Sequence, residues 1–242
     1  MAPEILITVA ATAILQTLFG AGVLLFGTPI LLLFGYEFVD VLAVLLPISL
    51  SINLMQIAKH RAHIDFSFYR NVLLLTLPPI AIFLFLVTHA RINIGIVIGV
   101  FLLLIALKEF SEKIARMINS VMEYEKPYFV AMGVIHGLSN LGGSLLTALV
   151  HHKNYSKNIA RATVAASYGT FALVQLLTLW LFSSGQIDIS ANENLIYLVI
   201  GVLVFGLTDE VLYARIDREK YRLIFSAFLA LSGLVLIIKS VI

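Results

Sequence analysis

The sequence predicts an all-α integral membrane protein made of two inverted repeats, each a re-entrant or broken helix hairpin followed by three transmembrane helices. Three observations support this fold class: long apolar stretches, an uneven distribution of basic residues, and internal repetition. Only 12% of the 242 residues are charged, and several apolar runs approach the roughly 20 residues that a helix needs to cross a bilayer. The runs lack the strict alternation of a β-barrel strand, so we expect helices.

Eight apolar stretches divide the chain, and one of them is interrupted. They cover residues 4–35, 39–58, 70–89, 92–108, 128–150, 160–182, 195–214 and 220–240. The segment HGLSNLGGS, residues 136–144, cuts the stretch 128–150 into two short pieces. Pieces of about 9 and 8 residues, at about 1.5 Å per residue, cannot each span about 30 Å of hydrocarbon. We therefore predict that 128–150 enters and leaves the membrane by the same face.

The basic residues support this topology through the positive-inside rule. If all eight stretches crossed the membrane, the 16 Lys and Arg residues would divide eight to eight between its faces. With 128–150 re-entrant, 14 lie on one face, and only Arg91 and Lys239 lie on the other. The 14 occupy the loops at 59–70, 108–126, 153–161 and 215–222. Such an excess marks the cytoplasmic side, so we expect these loops in the cytoplasm and the chain in a cell membrane, such as a bacterial inner membrane.

Internal repetition predicts the inverted arrangement. Gly22 and Gly27 recur as Gly137 and Gly142, again five residues apart. We divide the chain into a first repeat at 1–108, a cytoplasmic amphipathic linker at 109–126 and a second repeat at 127–242. Three crossings in each repeat invert the second repeat relative to the first, as in many secondary transporters. The basic residues leave open whether 4–35 is re-entrant or a broken full span.

The interrupted stretches predict a binding site for a small anion. The first N–H groups of a helix lack intrahelical partners and carry the positive end of the helix dipole. We expect one half-helix to begin at the glycine pair near 142 and its counterpart to begin near Gly27 and Pro29, with both starts opposed near the midplane. The predicted site residues in the hairpins are Gly22, Gly27, Thr28, Ser139, Asn140, Gly142, Gly143 and Ser144. The alternative is that the glycines serve only close helix packing.

Polar residues on the neighbouring crossings predict a lined pathway. Ser49, Asn53 and Gln56 are spaced i, i+4 and i+7, so they share one helix face. A similar stripe, followed by Gln175, occurs on the corresponding crossing of the second repeat. From the two stripes we take Asn53, Gln56, Thr163, Ser167 and Gln175 as substrate-binding candidates. The alternative is that each side chain only hydrogen-bonds another helix.

Ionisable residues inside the apolar stretches are candidates for proton coupling, because they are costly at membrane depth. His136 lies in the interrupted hairpin, and Asp209 and Glu210 lie near the end of the 195–214 stretch. For the acidic pair, the alternative is that both side chains reach the cytoplasmic interface. The sequence indicates no catalytic residue, metal site or cofactor, and its dispersed basic residues make nucleic acid a poor partner.

Several segments resemble the sulfite exporter TauE/SafE family. They are GAGVLLFGTPILLLFGYEFVDVLAV and HRAHIDFSFYRN in the first half, and HGLSNLGGSLLTALV and ARATVAASYGT in the second. The resemblance spans almost the whole chain. It implies a permease that moves small sulfur-containing anions such as sulfite or organosulfonates, usually outward, and that is not an enzyme.

Two other function classes stay open beside a carrier. An anion channel could use the same site. An intramembrane enzyme is suggested by the turn at 137–140, which superficially resembles a serine nucleophile turn but has no second intramembrane His to act as a base. The expected partners of the chain are a small anionic substrate, the lipid bilayer and, as a coupling ion, the proton. A homodimer is one assembly that the chain could form.

Overall fold

The structure is a computed structural model that describes residues 1–19, 22–90, 93–212 and 218–241. Helices make up this part of the chain, and no strand occurs among the described residues. The α-helices are α1 (Pro3–Phe19), α2 (Val23–Phe34), α3 (Phe38–His60), α4 (Phe66–Asn71), α5 (Leu77–His89), α6 (Ile94–Phe110), α7 (Glu112–Met122), α8 (Glu125–Ser139), α9 (Gly143–His152), α10 (Lys157–Phe182), α11 (Ala191–Leu212) and α12 (Arg218–Val241). The predicted all-α class is confirmed.

Local sequence explains where several helices begin and end. The Asp65 carboxylate accepts hydrogen bonds from the N–H groups of Ser67 and Phe68 and so caps α4. A π-helical turn, Val72–Thr76, joins α4 to α5 without a break, so 66–89 is one continuous helical segment. Gly35 ends α2 in a left-handed conformation with φ of 97°, which glycine adopts without steric cost.

Two pairs of helices fold back as hairpins. The hydroxyl of Tyr36, just after α2, donates to the Glu4 carboxylate at the start of α1 over 2.7 Å. Lys153, at the end of α9, pairs with Glu125 at the start of α8 over 2.6 Å. Helices α8 and α9 have 15 and 10 residues, or about 22 Å and 15 Å, so neither spans the hydrocarbon alone. Each hairpin therefore returns to the end at which it began.

Corresponding helices in the two halves of the chain make equivalent contacts. Helix α3 packs along α10, and α6 packs along α12. The first arm of one hairpin, α1, packs on α11, and the first arm of the other, α8, packs on α5. Two structural repeats would produce this exchange symmetry. The inverted-repeat relation itself stays a prediction.

Contacts between loops and helix ends sort into two groups. At one end, Lys59 and Arg161 contact Asp209, and Asp65 contacts Thr163 and Tyr155. At the other end, Asp40 accepts hydrogen bonds from the N–H groups of Asp188 and Ile189, Ser183 contacts Thr88, and Lys239 contacts the Leu33 carbonyl. The first group contains members of the predicted cytoplasmic loops. Which end faces the cytoplasm stays a prediction, and the Arg91 and Arg215 positions lie outside the described residues.

The surface of the helices is apolar along their length, as a lipid environment requires. Ile82, Leu203, Leu207 and Leu231 are among the large apolar side chains that are more than half exposed. Within the described residues, four helical segments are long and apolar enough to cross a membrane: Phe38–His63, Phe66–His89, Lys157–Phe182 and Ala191–Asp209. A fifth span would combine Ile94–Lys108 with Glu112–Met122, which are bent by 101°. The chain is a multi-pass membrane protein.

Candidate functional site

The second hairpin is broken where the sequence predicts an interruption. Helix α8 ends at Ser139, Asn140 adopts a left-handed conformation with φ of 62°, and α9 begins at Gly143. Asparagine tolerates this conformation better than most residues do. No side chain caps the N-terminus of α9. The break therefore leaves a helix start inside the protein, as an anion site requires.

The hydroxyl of Tyr168 lies beside the first residue of α9. A Cβ atom added to Gly143 would lie 1.0 Å from Oη of Tyr168, so only glycine leaves room for this hydroxyl. Tyr168 is buried on α10, and its hydroxyl has no hydrogen-bond partner among the described residues. Gly142 is equally restricted, because a Cβ atom there would lie 2.5 Å from Cβ of His136. Both glycines thus have a packing role as well as a place at the helix start.

His136 joins α8 to α10 through Gln175. Its Nε2 lies 3.0 Å from Oε1 of Gln175, and its ring lies 4.8 Å from Phe171 and 6.2 Å from Tyr168, measured between ring centroids. Because an amide oxygen only accepts, the arrangement places the His136 proton on Nε2. Nδ1 of His136 and Nε2 of Gln175 are buried without a partner within the described part of the protein.

Helix α3 brings two further polar side chains to the same region. Asn53 donates from Nδ2 to the Ser49 carbonyl over 2.7 Å, which leaves its Oδ1 unpaired. Both polar atoms of Gln56, one turn away, are also unpaired among the described residues. Helices α3 and α10 approach closely here, since a Cβ atom on Gly169 would lie 3.3 Å from Cβ of Asn53.

We call these side chains the polar cluster. It consists of Asn53, Gln56, His136, Asn140, Tyr168 and Gln175. Each member is at most 1% exposed, and each carries at least one buried polar atom without a partner in the described structure. An unpaired buried polar atom typically costs about 1–3 kcal/mol. Six such residues in one region indicate a place where a polar ligand or water supplies the missing hydrogen bonds.

Thr28 of the first hairpin reaches the break in the second. Nδ2 of Asn140 donates to Oγ1 of Thr28 over 2.9 Å, and both residues are fully buried. The two hairpins therefore meet at the polar cluster, with the interior of α2 against the break between α8 and α9.

The first hairpin does not present the predicted helix start at Gly27 and Pro29. Helix α2 begins at Val23, so both residues lie inside it, and the predicted start was wrong. At the start of α2, the Gln16 side-chain oxygen accepts hydrogen bonds from the N–H groups of Gly22 and Val23. Gln16 thus occupies the position that an anion would take. Gly27 serves packing, because a Cβ atom there would lie 2.8 Å from the Leu45 side chain.

Three other candidates have partners that hold the fold together. Oγ1 of Thr163 accepts a hydrogen bond from the Asp65 N–H over 3.0 Å. Ser167 donates to the Thr163 carbonyl over 2.8 Å, and Ser144 donates to the Leu141 carbonyl over 2.9 Å. The structure therefore places these hydroxyls in hydrogen bonds of their own rather than among the unpaired atoms of the polar cluster.

Of the ionisable candidates, only His136 belongs to the polar cluster. Asp209 is 4% exposed and is ion-paired with Arg161 and, over 3.3 Å, with Lys59. Arg161 precedes Tyr168 by seven residues, or about 10 Å along α10. Asp209 thus joins three helix ends and is not a member of the cluster. The side chain of Glu210 lies outside the described residues.

Sequence reasoning missed Tyr168, although two signals were available. Tyr168 and Gln175 are seven residues apart, so they share one face of α10. A tyrosine in the middle of an apolar crossing is also unusual, because tyrosine prefers the membrane interface.

The polar cluster is closed to both ends of the molecule, since its members are at most 1% exposed. A cavity of about 360 Å³ lies between α6 and α8 and reaches Ser139, but its walls are almost entirely apolar. No group of three His, Asp or Glu residues suited to a metal ion occurs in the part of the chain that was described. The site as it stands offers neutral hydrogen-bonding groups only.

Comparison with known proteins gives one match. The family model for the sulfite exporter TauE/SafE family matches residues 5–236, which is nearly the whole chain. Searches of curated proteins and of solved structures gave no significant match.

Proposed function

Because this chain belongs to the sulfite exporter TauE/SafE family, a family of membrane transporters, we propose that it is a secondary transporter that exports small sulfur-containing anions. Sulfite and short organosulfonates are the proposed substrates. Members of the polar cluster bind the anion, together with the uncapped N-terminus of α9. The sequence predicts a site between two opposed helix starts. The proposed site uses only the start of α9, because the Gln16 side chain already occupies the N-terminus of α2.

The unpaired atoms of the polar cluster are the observation that carries the proposed location. Gln56, Tyr168 and Gln175 each have a buried hydrogen-bond donor available. In a site shielded from water, neutral donors and a helix start bind an anion without a buried Lys or Arg. Weak binding of this kind also suits a transporter, which must release its substrate.

The closed state of the cluster supports a mechanism of alternating access. The contacts around Asp209 and Asp65 close one end of the helix bundle, and the contact of Asp40 with Asp188 closes the other. We propose that these contacts open in turn as the two inverted repeats move relative to each other. His136, the titratable His in the cluster, is the proposed proton carrier if export is proton-coupled.

The two other function classes receive less support. A channel needs a continuous path, whereas the cluster is buried on all sides. A serine enzyme needs a base next to its nucleophile, but Ser139 donates to the Ile135 carbonyl and His136 contacts Gln175 instead.

Flux through reconstituted protein tests the proposal. Liposomes that contain the purified protein and labelled sulfite should lose the label in a saturable manner, and an imposed pH gradient should alter the rate. Gln56→Leu should lower the flux about tenfold or more, at the scale of one lost hydrogen bond to a charged ligand. The variant should fold normally, because it removes two unpaired buried atoms.

Thr178→Val on α10 is the matched control. Its hydroxyl is buried but donates only to the Val174 carbonyl in its own helix, so its flux should stay near that of the wild type. Normal flux in Gln56→Leu would remove the polar cluster as the binding site. Flux that never saturates would favour a channel.

A further inference from the structure

We infer that the polar cluster selects anions that carry a hydrogen-bond donor of their own. This inference rests on the proposed function and narrows its substrate class. Hydrogen sulfite would be preferred over the sulfite dianion, and sulfonates with a hydroxyl or amino group would be preferred over plain alkyl sulfonates.

The unpaired atoms of the cluster include more acceptors than donors. The unpaired acceptors are Oδ1 of Asn53, Oε1 of Gln56, Nδ1 of His136 and Oδ1 of Asn140. The unpaired donors are the side-chain nitrogens of Gln56 and Gln175, and the hydroxyl of Tyr168 can act either way.

Unpaired acceptors remain in the cluster however the side-chain amides are turned. Asn53 is held in one orientation, because its nitrogen faces the Ser49 carbonyl, which only accepts. Turning the amide of Gln175 would move the proton of His136 to Nδ1, and the pair would still offer one donor and one acceptor. Gln56 offers one donor and one acceptor in either orientation. Turning the Asn140 amide towards the Thr28 hydroxyl, which can also donate, would exchange one unpaired acceptor for a donor. At least three acceptors therefore remain in every arrangement.

A fully deprotonated oxyanion satisfies only half of this site. All its oxygens accept, so it would leave the cluster acceptors unpaired and would bring negative charge towards them. A buried polar group that a ligand leaves unpaired is a strong basis for rejecting that ligand. No Lys or Arg side chain belongs to the cluster, and the described Arg161 is ion-paired with Asp209 instead. A solute with an acidic group at one end and an O–H or N–H at the other would satisfy both kinds of atoms.

Two sulfonates of equal charge test the inference. Ethanesulfonate and 2-hydroxyethanesulfonate differ by one hydroxyl, so their rates can be compared in the same proteoliposomes. We expect the wild-type protein to transport the hydroxylated compound about tenfold faster, which corresponds to about 1.4 kcal/mol. Sulfate, a dianion without a donor, should neither be transported nor compete.

The outcomes separate this inference from the proposed function. If both sulfonates move at equal rates, the selectivity inference is overturned while transport stands. If neither sulfonate nor sulfite moves, the proposed function itself fails.

Asn53→Leu removes the acceptor with the most constrained orientation. We expect it to bring the ratio of the two rates close to one, whatever its effect on the absolute rates, and Thr178→Val should retain the wild-type ratio. An unchanged ratio in Asn53→Leu would show that this oxygen does not take part. The wild-type comparison decides the inference even if the variant folds poorly.

Discussion

At the scale of single residues, the contact between Gly143 and Tyr168 combines packing with chemistry. The glycine is required because the Tyr168 hydroxyl takes the space of a side chain. The hydroxyl in turn lies at the start of α9, where it is buried and unpaired within the described structure. Substitution of Gly143 would therefore disturb both the packing and the site, so the hydroxyl is the better target.

Tyr168→Phe should reduce sulfite flux about tenfold and leave the thermal stability equal or higher, because it removes a buried hydroxyl that has no partner. Flux assays and a thermal melt in detergent measure the two effects. Tyr128→Phe is the matched control, since that hydroxyl donates to the Leu145 carbonyl over 2.9 Å. It should lose about 1 kcal/mol of stability and keep its flux. Normal flux in Tyr168→Phe together with reduced flux in Tyr128→Phe would contradict the assignment of Tyr168 to the binding site.

At the scale of helices, Asp209 joins the ends of α3, α10 and α11. The side chains of Asp209 and Arg161 are 5% and 7% exposed, so removal of either one deprives the other buried charge of an ion-pair partner. Such losses are costly, whereas exposed ion pairs contribute little. We therefore assign Asp209 a structural role in closing one end of the bundle.

Asp209→Asn should destabilise the protein by about 3 kcal/mol, because it removes a buried carboxylate that is ion-paired with the buried Arg161 guanidinium. Chemical unfolding followed by tryptophan fluorescence or circular dichroism measures the change. Glu193→Gln removes a more exposed partner, of which 34% is accessible in its pair with the N-terminal amine, and should cost much less stability, because exposed ion pairs are screened by solvent. Equal losses in the two variants would refute the structural role.

The turn before α4 should respond to acid. Partial burial raises the pKa of Asp65, but hydrogen bonds from Tyr155, Phe68 and Ser67, with the charge of Lys153, outweigh this effect and hold its pKa below the usual value. The folded state therefore binds this proton less readily than the unfolded state does. The stabilisation is present above the unfolded pKa of about 3.9 and is lost as the pH falls through the folded pKa.

Asp65→Asn should accordingly melt at a lower temperature than the wild type near neutral pH, and the difference should shrink as the pH falls below about 4. Thermal melts over a pH series measure it. A difference that grows towards low pH would contradict the direction of the pKa shift.

At the scale of the whole molecule, the turns lie at two ends of the helix bundle. The distribution of Lys and Arg in the sequence predicts which of these ends faces the cytoplasm. The sequence contains no Cys, so single cysteines can report the side of each end. Ser156→Cys and Gln186→Cys place exposed thiols at opposite ends. An impermeant thiol reagent should label position 186 from outside intact cells and position 156 only after the membrane is opened. Labelling of position 156 from outside would overturn the predicted topology.

Much of the fold was predictable because the lengths of the apolar stretches and the distribution of basic residues are properties of whole helices and loops. The break near Asn140 was predictable for a different reason, since a cluster of small and polar residues is expensive inside lipid unless it is used. The start of α2 was not predictable from Gly27 and Pro29, because the cap comes from Gln16, six residues before Gly22. Nor was the ion pair of Asp209 with Arg161 predictable, because it joins side chains that are 48 residues apart.

The capping of α2 by Gln16 makes the two halves of the molecule unequal. An intrinsic amide fills one helix start, whereas the start of α9 has no side-chain cap. If the two halves exchange roles during a transport cycle, the two resulting states therefore cannot have equal free energies. The empty carrier should therefore be open towards one compartment more often than towards the other. Its apparent affinity for the substrate should then differ between the two sides of the membrane, and transport should be faster in one direction.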